Sequence, residues 1–385
     1  MIGRVRAFAS AARPLRRVLV DSRTALNTAM VLPVVRAMAG DPRVQFAFTA
    51  SENAAGLRTI HAAAPPGSRL IHPRAAALRK WDAYLSSDFM WATLPRGTRR
   101  VQMFHGVAGK YGFDAPTDDM RAWHRLFFIN ARRRDNFIAA GVVDTDSPAL
   151  RLVGMPKVDC LVDGSLQRDA ILRAEGLDPG RPTLLYAPTW SAASSLNVMG
   201  LDLVERLLRL PVTVLVKLHD RSYDPRPVYS GGIDWRARLL PILTRAGGRL
   251  VEGVDIAPYL VAADLLVTDH SSAGFEYLLR DRPVIRLEVP ELLAHARVHP
   301  DYVQLLAEAA RSVRSPADAV AAVEAALAAP AHGSASRRHV ASQLFYRPGS
   351  ATYRAAAELC ALMELDEHPS LESMRPEADS CLQSA

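Results

Sequence analysis

ADLLVTDHSSAGFEY, residues 263–277, is the stretch of this chain that decides its fold. Residues 265–267 form an apolar run typical of a buried strand, and a helical pattern opens at Phe275. A strand that turns into a helix through small hydroxyl residues directs free backbone N–H groups, at the positive end of the helix dipole, toward the turn. The turn therefore predicts an anion site whose usual occupant is a phosphate, with an ordinary N-capped helix as the alternative.

Other strand-like runs end in a similar way. Three of them close in polar or small residues, namely Phe-His-Gly at 104–106, Pro-Thr-Trp at 188–190 and Lys-Leu-His at 217–219. In open α/β sheets, ligands bind beyond the carboxyl ends of the strands. Together with the serine-rich turn, these ends predict a site that handles a polyanion.

The bulk composition describes a globular chain with a basic balance. Its 385 residues predict two domains, and 49% hydrophobic with 23% charged residues is ordinary for such a protein. A net charge of +7 suits phosphorylated substrates or anionic lipid, although a GC-rich genome also produces arginine-rich sequences. Nucleic acid is not an expected partner, because zinc-finger spacing, an RNP motif and a long basic helix are all missing.

Cysteine usage and the apolar runs bear on the compartment. Cys160, Cys360 and Cys381 are isolated and form no CxxC pair, which fits a reducing cytoplasm. No apolar stretch reaches the length of about 18 residues that a transmembrane helix needs. The N-terminus lacks a signal-peptide pattern. It is either an amphipathic helix on the anionic inner face of the cell membrane or a plain leader.

Strand-like and helix-like runs alternate along most of the chain, and they include predicted strands at 183–187, 212–217, 264–268 and 283–287 and a predicted helix at 200–209. Because the strands are nearly all apolar, the pattern predicts parallel sheets covered by helices on both faces. Two doubly wound, Rossmann-like domains facing across a cleft form the GT-B arrangement, which is the predicted α/β fold class. The predicted segments are a basic leader at 1–16, an N-terminal acceptor domain at 17–156, a C-terminal donor domain at 181–335, closing helices at 336–366 and a disordered tail at 367–385. A basic helix with a solvated face is expected over 123–140.

Six motifs occur in a characteristic order. They are Phe-His-Gly (104–106), Gly-Met-Pro-Lys-Val-Asp (154–159), Tyr-Ala-Pro-Thr-Trp (186–190), Lys-Leu-His (217–219), Asp-Ile (255–256) and Thr-Asp-His-Ser-Ser (268–272). In this order the chain resembles the CDP-glycerol glycerophosphotransferases, which have a GT-B fold and build teichoic-acid-type polymers. The resemblance implies transfer of glycerol phosphate from CDP-glycerol to an acceptor hydroxyl with release of CMP. It also implies a glycopolymer or lipid-linked acceptor.

The chemistry of this transfer makes His105 and His219 the candidate catalytic residues. His105 is the expected general base, since an imidazole titrates near neutral pH, and Gly106 lets the backbone approach a substrate closely. His219, Ser271 and Ser272 are expected to hold the diphosphate through N–H and O–H donors. For His105, a structural turn histidine is the alternative.

Five further residues are expected at the substrate. Thr189 would face the nucleotide, and Lys217 is either a phosphate ligand or a solvated surface charge. His270 either joins the serines or replaces an aromatic residue of the family. Asp269 is expected to orient its own turn by bonding to its own backbone. Glu276 would bind the ribose hydroxyls, or is an exposed helix carboxylate. No cofactor and no metal site is predicted, although Mg²⁺ bound through a substrate diphosphate leaves no trace in a sequence.

Four positions depart from the family pattern and are expected to line the donor site. They are Phe104, where the family has tryptophan, Ser191 for arginine, Asp220 for proline and His270 for tyrosine. Two alternative functions therefore remain open. One is a GT-B glycosyltransferase or epimerase that uses another nucleotide-sugar donor, and the other is a non-catalytic, membrane-associated binding protein.

Overall fold

A computed structural model describes residues 15–112 and 115–376. These residues divide into two compact units. Unit 1 contains the described residues 15–105, 116–159 and 346–376, and unit 2 contains those of 106–115 and 160–345. Most of the predicted leader lies outside the described residues, and Arg16 already belongs to the first strand. Among the described residues, no helix has both the length and the apolar character needed to cross a bilayer.

Unit 1 is built on a seven-stranded sheet in which all strand pairs are parallel. Its strands are β1 (Arg16–Asp21), β2 (Val44–Thr49), β3 (Arg69–Leu70), β4 (Ala83–Ser86), β5 (Arg99–Met103), β6 (Arg125–Phe128) and β7 (Leu150–Leu152). The spatial order is β3-β2-β1-β4-β5-β6-β7. The α-helices are Ala25–Ala37, Leu57–Ile60, Pro73–Ala76, Ala131–Ala139, Ala351–Leu362 and Pro369–Glu372, and the 3-10 helices are Ala54–Gly56 and Asp118–Ala122.

Unit 2 repeats the same plan with six parallel strands. They are β8 (Thr183–Tyr186), β9 (Thr213–Lys217), β10 (Arg249–Val251), β11 (Leu265–Thr268), β12 (Val284–Leu287) and β13 (Arg311–Val313), in the order β10-β9-β8-β11-β12-β13. The α-helices are Arg168–Ala174, Ser195–Leu207, Pro227–Ser230, Trp235–Arg245, Ala257–Ala262, Ser272–Tyr277, Pro290–His295, Pro300–Ala309, Pro316–Ala328 and Ser334–Leu344. The 3-10 helices are Asp220–Tyr223 and Leu278–Arg280, and Pro156–Leu161 runs from unit 1 into unit 2.

The strand orders create one topological switch point in each unit. In unit 1 the order reverses between β1 and β4, and in unit 2 between β8 and β11. Crossover helices leave in opposite directions at such a point, which opens a crevice at the carboxyl ends of the two strands. Two doubly wound parallel domains constitute the GT-B class, and the predicted fold class is confirmed.

The C-terminal helices have a definite place in this scheme. Described residues 346–376 belong to unit 1, where the buried Asp159 carboxylate accepts hydrogen bonds from the backbone N–H groups of Gly349, Ala351 and Thr352. The segment predicted as a disordered tail contains the helical turn Pro369–Glu372. Residues 377–385 lie outside the described residues.

The predicted basic helix over 123–140 is wrong in its first half. Arg125–Phe128 forms strand β6, and only Ala131–Ala139 is helical. The apolar Leu-Phe-Phe run joins the parallel sheet, because burial between two layers of helices outweighs the helical reading of the neighbouring arginines. The expected solvated face is also incomplete. Arg133 is buried, and its guanidinium lies 5.1 Å from the centre of the Phe104 ring.

Candidate functional site

The carboxylate of Asp269 organises the switch point of unit 2. Asp269 follows β11 and is fully buried. It accepts hydrogen bonds from the backbone N–H of Thr189 (2.8 Å) and from both N–H and Oγ–H of Ser195 (3.0 and 2.9 Å). Burial raises the pKa of Asp269, whereas the charge of Lys110 and these hydrogen bonds act in the opposite direction. The expectation that Asp269 bonds to its own turn is corrected, because it ties down the loop that follows β8.

The serine turn opens the helix Ser272–Tyr277. Ser271 is its N-cap and accepts a hydrogen bond from the N–H of Ala273 at 3.2 Å. Gly106 lies against this turn, since a Cβ at Gly106 would stand 3.6 Å from the Oγ of Ser272. Its φ of +73° is a conformation that side chains other than glycine rarely adopt. The backbone at Gly106 therefore lies next to the predicted anion turn.

His270 is a neutral, buried ring. It is 2% exposed, and its Nε2 lies 2.8 Å from the carbonyl oxygen of Ala108, so Nε2 carries the proton and donates it. Burial, aided by the charge of Lys110, lowers the pKa of His270 to about 3. Its Nδ1 is then a lone-pair acceptor, and it has no hydrogen-bond partner among the described residues. The ring packs edge-on to Phe275 with centroids 5.6 Å apart, as an aromatic residue would.

Lys110 also belongs to this switch point, although sequence reasoning did not select it. Its Nζ donates to Thr189 Oγ1 at 2.7 Å. The segment that carries it is fixed by two backbone hydrogen bonds, from His299 N–H to the Gly109 carbonyl (2.9 Å) and from Tyr111 N–H to the Ala296 carbonyl (2.8 Å). The available signal was the Gly-Lys pair that follows Phe-His-Gly at a distance of only a few residues.

Trp190 forms an aromatic wall beside Thr189. The Tyr111 ring stacks on it with centroids 5.7 Å apart and an interplanar angle of 17°, and the Arg221 guanidinium lies 4.4 Å from its centroid. The ring of His219 is 6.2 Å away. His219 Nδ1 accepts a hydrogen bond from the N–H of Arg221 at 3.1 Å, so its Nε2 bears the proton in the neutral ring.

Lys217 and Glu276 are both buried. Lys217 is 4% exposed, and its Nζ donates to the Leu218 carbonyl at 2.8 Å. Glu276 is 2% exposed. The alternatives that treated Lys217 as a solvated surface charge and Glu276 as an exposed helix carboxylate are therefore wrong. Lys217 ends the buried strand β9, and Glu276 lies within the buried helix Ser272–Tyr277.

His105 stands at the carboxyl end of β5 in unit 1. Its Nδ1 is hydrogen-bonded to the carbonyl of Ser87, which follows β4. A carbonyl only accepts, so Nδ1 carries the proton and the lone pair of the neutral ring is on Nε2. Burial is the main cause that lowers the pKa of His105, the carboxylate of Asp88 opposes it, and Arg133 and Arg23 lower the pKa further. Sequence reasoning missed Asp88, which pairs with Arg23 at 3.0 Å.

The four departures from the family pattern do not share one location. Phe104 is 3% exposed in the core of unit 1, stacked on Phe128 with centroids 4.9 Å apart. The expectation that Phe104 lines the donor site is corrected, since its ring fills this core. Ser191 is buried beside the loop after β8, while Asp220 is exposed and opens the 3-10 helix Asp220–Tyr223. Of the four, His270 is the residue that lies next to Asp269 and has its pKa lowered by the charge of Lys110.

Within residues 15–112 and 115–376, no three His, Cys, Asp or Glu side chains come together in a way that could hold a metal ion. The candidate residues accordingly form two clusters at carboxyl ends of strands. One surrounds His105 in unit 1, and the other surrounds Asp269 in unit 2.

Comparison with known proteins identifies the family. Residues 36–354 match the family described as CDP-glycerol:poly(glycerophosphate) glycerophosphotransferase. The chain belongs to this family. It is therefore a transferase that uses a nucleotide-linked donor, as the order of its motifs predicted. Among proteins of curated function, none matches the sequence significantly.

Several solved structures share the fold of this glycerophosphotransferase. A histidine-to-alanine variant of the wall teichoic acid polymerase TagF is 15% identical with a TM-score of 0.69, covering 91% of this chain and 90% of that one. A TagF histidine-to-asparagine variant soaked with CDPG is 13% identical, with a TM-score of 0.66 over the same shares. MnaA of S. aureus, in a co-structure with UDP, is 12% identical with a TM-score of 0.58, covering 92% and 99%. At these identities the likeness concerns the fold.

Proposed function

We propose that this glycerophosphotransferase transfers glycerol phosphate from CDP-glycerol to an acceptor hydroxyl in the synthesis of a teichoic-acid-type envelope polymer. The oxygen of the acceptor hydroxyl attacks the phosphorus that bears glycerol. The bond from that phosphorus to the bridging oxygen breaks, and CMP leaves with the bonding electrons. A glycopolymer or lipid-linked hydroxyl is the proposed acceptor, and the net charge of +7 favours such anionic partners.

His105 is the proposed general base, and the observation that carries this role is its tautomer. The hydrogen bond to the Ser87 carbonyl keeps the proton on Nδ1 and the lone pair on Nε2. Because burial lowers the pKa of His105, the ring is neutral near pH 7 and ready to accept a proton. The carboxylate of Asp88 then stabilises the imidazolium that forms when Nε2 takes the hydroxyl proton.

The switch point of unit 2 is the proposed donor site. Ser271 and Ser272 offer hydroxyl and backbone donors at the start of a helix. His219 offers its Nε2–H, and Thr189 presents its hydroxyl from the end of β8. These groups would stabilise the negative charge that develops on the departing CMP. Crevices at such switch points are where doubly wound sheets bind nucleotides.

The test is CMP release from CDP-glycerol by the purified protein and by His105→Asn. Asparagine is the informative substitution, because its amide N–H can still donate to the Ser87 carbonyl while the basic Nε2 is lost. We expect a loss of about 10²–10⁴-fold in kcat, with little change in the KM for CDP-glycerol. The matched control is His72→Asn, which changes an exposed histidine of unit 1 and should retain full activity.

A second variant examines the donor site. Ser271→Ala/Ser272→Ala should weaken CDP-glycerol binding and lower kcat/KM, since it removes donors aimed at phosphate oxygens. CMP release that survives His105→Asn would remove the general-base role. A wild-type protein that neither releases CMP nor gains melting temperature with CDP-glycerol would reject this donor and favour another nucleotide-linked donor.

A further inference from the structure

Lys110 places a cation at the switch point of unit 2. Its Nζ donates to Thr189 Oγ1 at 2.7 Å, and the Thr189 N–H in turn donates to Asp269 at 2.8 Å. Asp269 stands two residues before the serine turn. The charge of Lys110 is felt by both Asp269 and His270, which are the titratable groups facing it. These contacts place an ammonium group at the carboxyl ends of β8 and β11.

The ammonium of Lys110 has unused capacity. It carries three N–H donors, and one hydrogen bond, to Thr189, is formed with the described residues. Burial destabilises the charged form of Lys110 and lowers its pKa to about 8, and the negative charge of Asp269 offsets this effect only in part. A half-buried ammonium with spare donors and an incomplete counter-charge is suited to bind an anion.

Lys217, the lysine that the sequence suggested, is less suited to this role. It ends β9, one strand away from the switch point, and its Nζ donates to the carbonyl of the neighbouring Leu218. Lys110 instead reaches the switch point from the segment that follows β5. A Cβ at Gly109, one residue earlier, would meet the Tyr302 ring at 2.3 Å, so this approach requires glycine.

We propose that Lys110 binds the diphosphate of the nucleotide-linked donor and neutralises charge on the departing nucleotide. This inference rests on the proposed function and adds a residue to it. Upon donor binding, the ammonium directs its spare N–H groups to phosphate oxygens while Thr189 keeps it in position. A lysine acts here as a compact positive charge. The same contact strengthens when the phosphorus–oxygen bond breaks, because CMP then gains negative charge.

The test compares ligands that carry a diphosphate with cytidine, which carries none. Affinities of CDP-glycerol, CDP, UDP and cytidine are measured by calorimetry for the full-length wild type, Lys110→Gln and Lys110→Arg. We expect Lys110→Gln to weaken binding of every diphosphate ligand about 10–100-fold and of cytidine less than about twofold. Lys110→Arg should restore most of the loss. Lys80→Gln, which removes one charge from an exposed lysine, should match the wild type.

The outcomes separate this inference from the proposed function. If Lys110 only anchored its segment, Lys110→Gln would weaken cytidine and CDP equally or lower the melting temperature alone, and the inference would be wrong. If the wild type bound CDP and UDP through Lys110 but released no CMP from CDP-glycerol, the inference would stand while the proposed donor failed. A wild-type protein that bound no nucleoside diphosphate would overturn both.

Discussion

Replacing Asp269 by asparagine should destabilise unit 2 substantially. The side chain is fully buried and accepts three hydrogen bonds, from Thr189 N–H, Ser195 N–H and Ser195 Oγ–H. Asparagine retains one acceptor oxygen, which can still serve Thr189. Its amide nitrogen then faces the N–H of Ser195, which is fully buried as well. That N–H is left without an acceptor.

The magnitude follows from these contacts. A buried N–H that loses its partner costs about 1–3 kcal/mol, and the lost hydrogen bond to a charged acceptor adds about 1.5–3 kcal/mol. Two effects reduce this sum. First, the Ser195 hydroxyl can accept a hydrogen bond from the new amide and donate one to Tyr186, whose OH lies 2.9 Å away. Second, asparagine carries no charge, so the cost of burying the charge, which raises the pKa of Asp269, is removed. We expect a net loss of about 2–4 kcal/mol.

Urea unfolding followed by intrinsic fluorescence measures this free energy. The matched control is Asp255→Asn, because Asp255 also accepts a backbone hydrogen bond, from Ala257 at 2.9 Å, at the start of a helix. Asparagine keeps an acceptor oxygen for the Ala257 N–H, so the control should change by less than about 0.5 kcal/mol. An Asp269→Asn protein as stable as the Asp255→Asn protein would refute the reasoning.

Three further predictions concern backbone space and titration. Gly154→Ala should cost at least about 3 kcal/mol by urea unfolding, because φ is +92° and the new Cβ would stand 2.5 Å from the Tyr346 carbonyl oxygen, whereas Gly141→Ala meets no atom and should cost about 1 kcal/mol. Between pH 7 and pH 5, His270→Gln should lose about 2 kcal/mol less stability than the wild type. The reason is that the unfolded histidine, with a pKa near 6.5, binds a proton in this range, whereas the folded ring, with a pKa of about 3, does not. Equal acid sensitivity of the two proteins would contradict this. Donor binding at pH 8.5 should be accompanied by uptake of about 0.7 proton, because Lys110 has a pKa of about 8 in the free protein and a bound phosphate raises this pKa. Calorimetry in buffers of different ionisation enthalpy measures the uptake, and Lys110→Arg should abolish it.

Local patterns were sufficient for much of the fold. The apolar runs predicted strands β8, β9, β11 and β12 to within about two residues, because strands covered on both faces leave a continuous hydrophobic signature. Helices Pro290–His295 and Pro300–Ala309 were missed, although each begins with proline at its first position. The helix Ser195–Leu207 starts five residues earlier than the predicted 200–209. Its first residue is held by Asp269, a contact that the local sequence does not contain.

The sequence by itself determined the two parallel sheets, the family and the positions at which polar residues end the strands. Periodicity and turn chemistry are local properties, and a sequence displays them directly. Tertiary structure alone decided what those residues do. The partners of Asp269, His270 and Lys110 lie 80, 162 and 79 residues away along the chain. Burial by such distant segments sets whether a side chain is charged, neutral or already hydrogen-bonded, so the protonation of the site follows from the fold and not from any single motif.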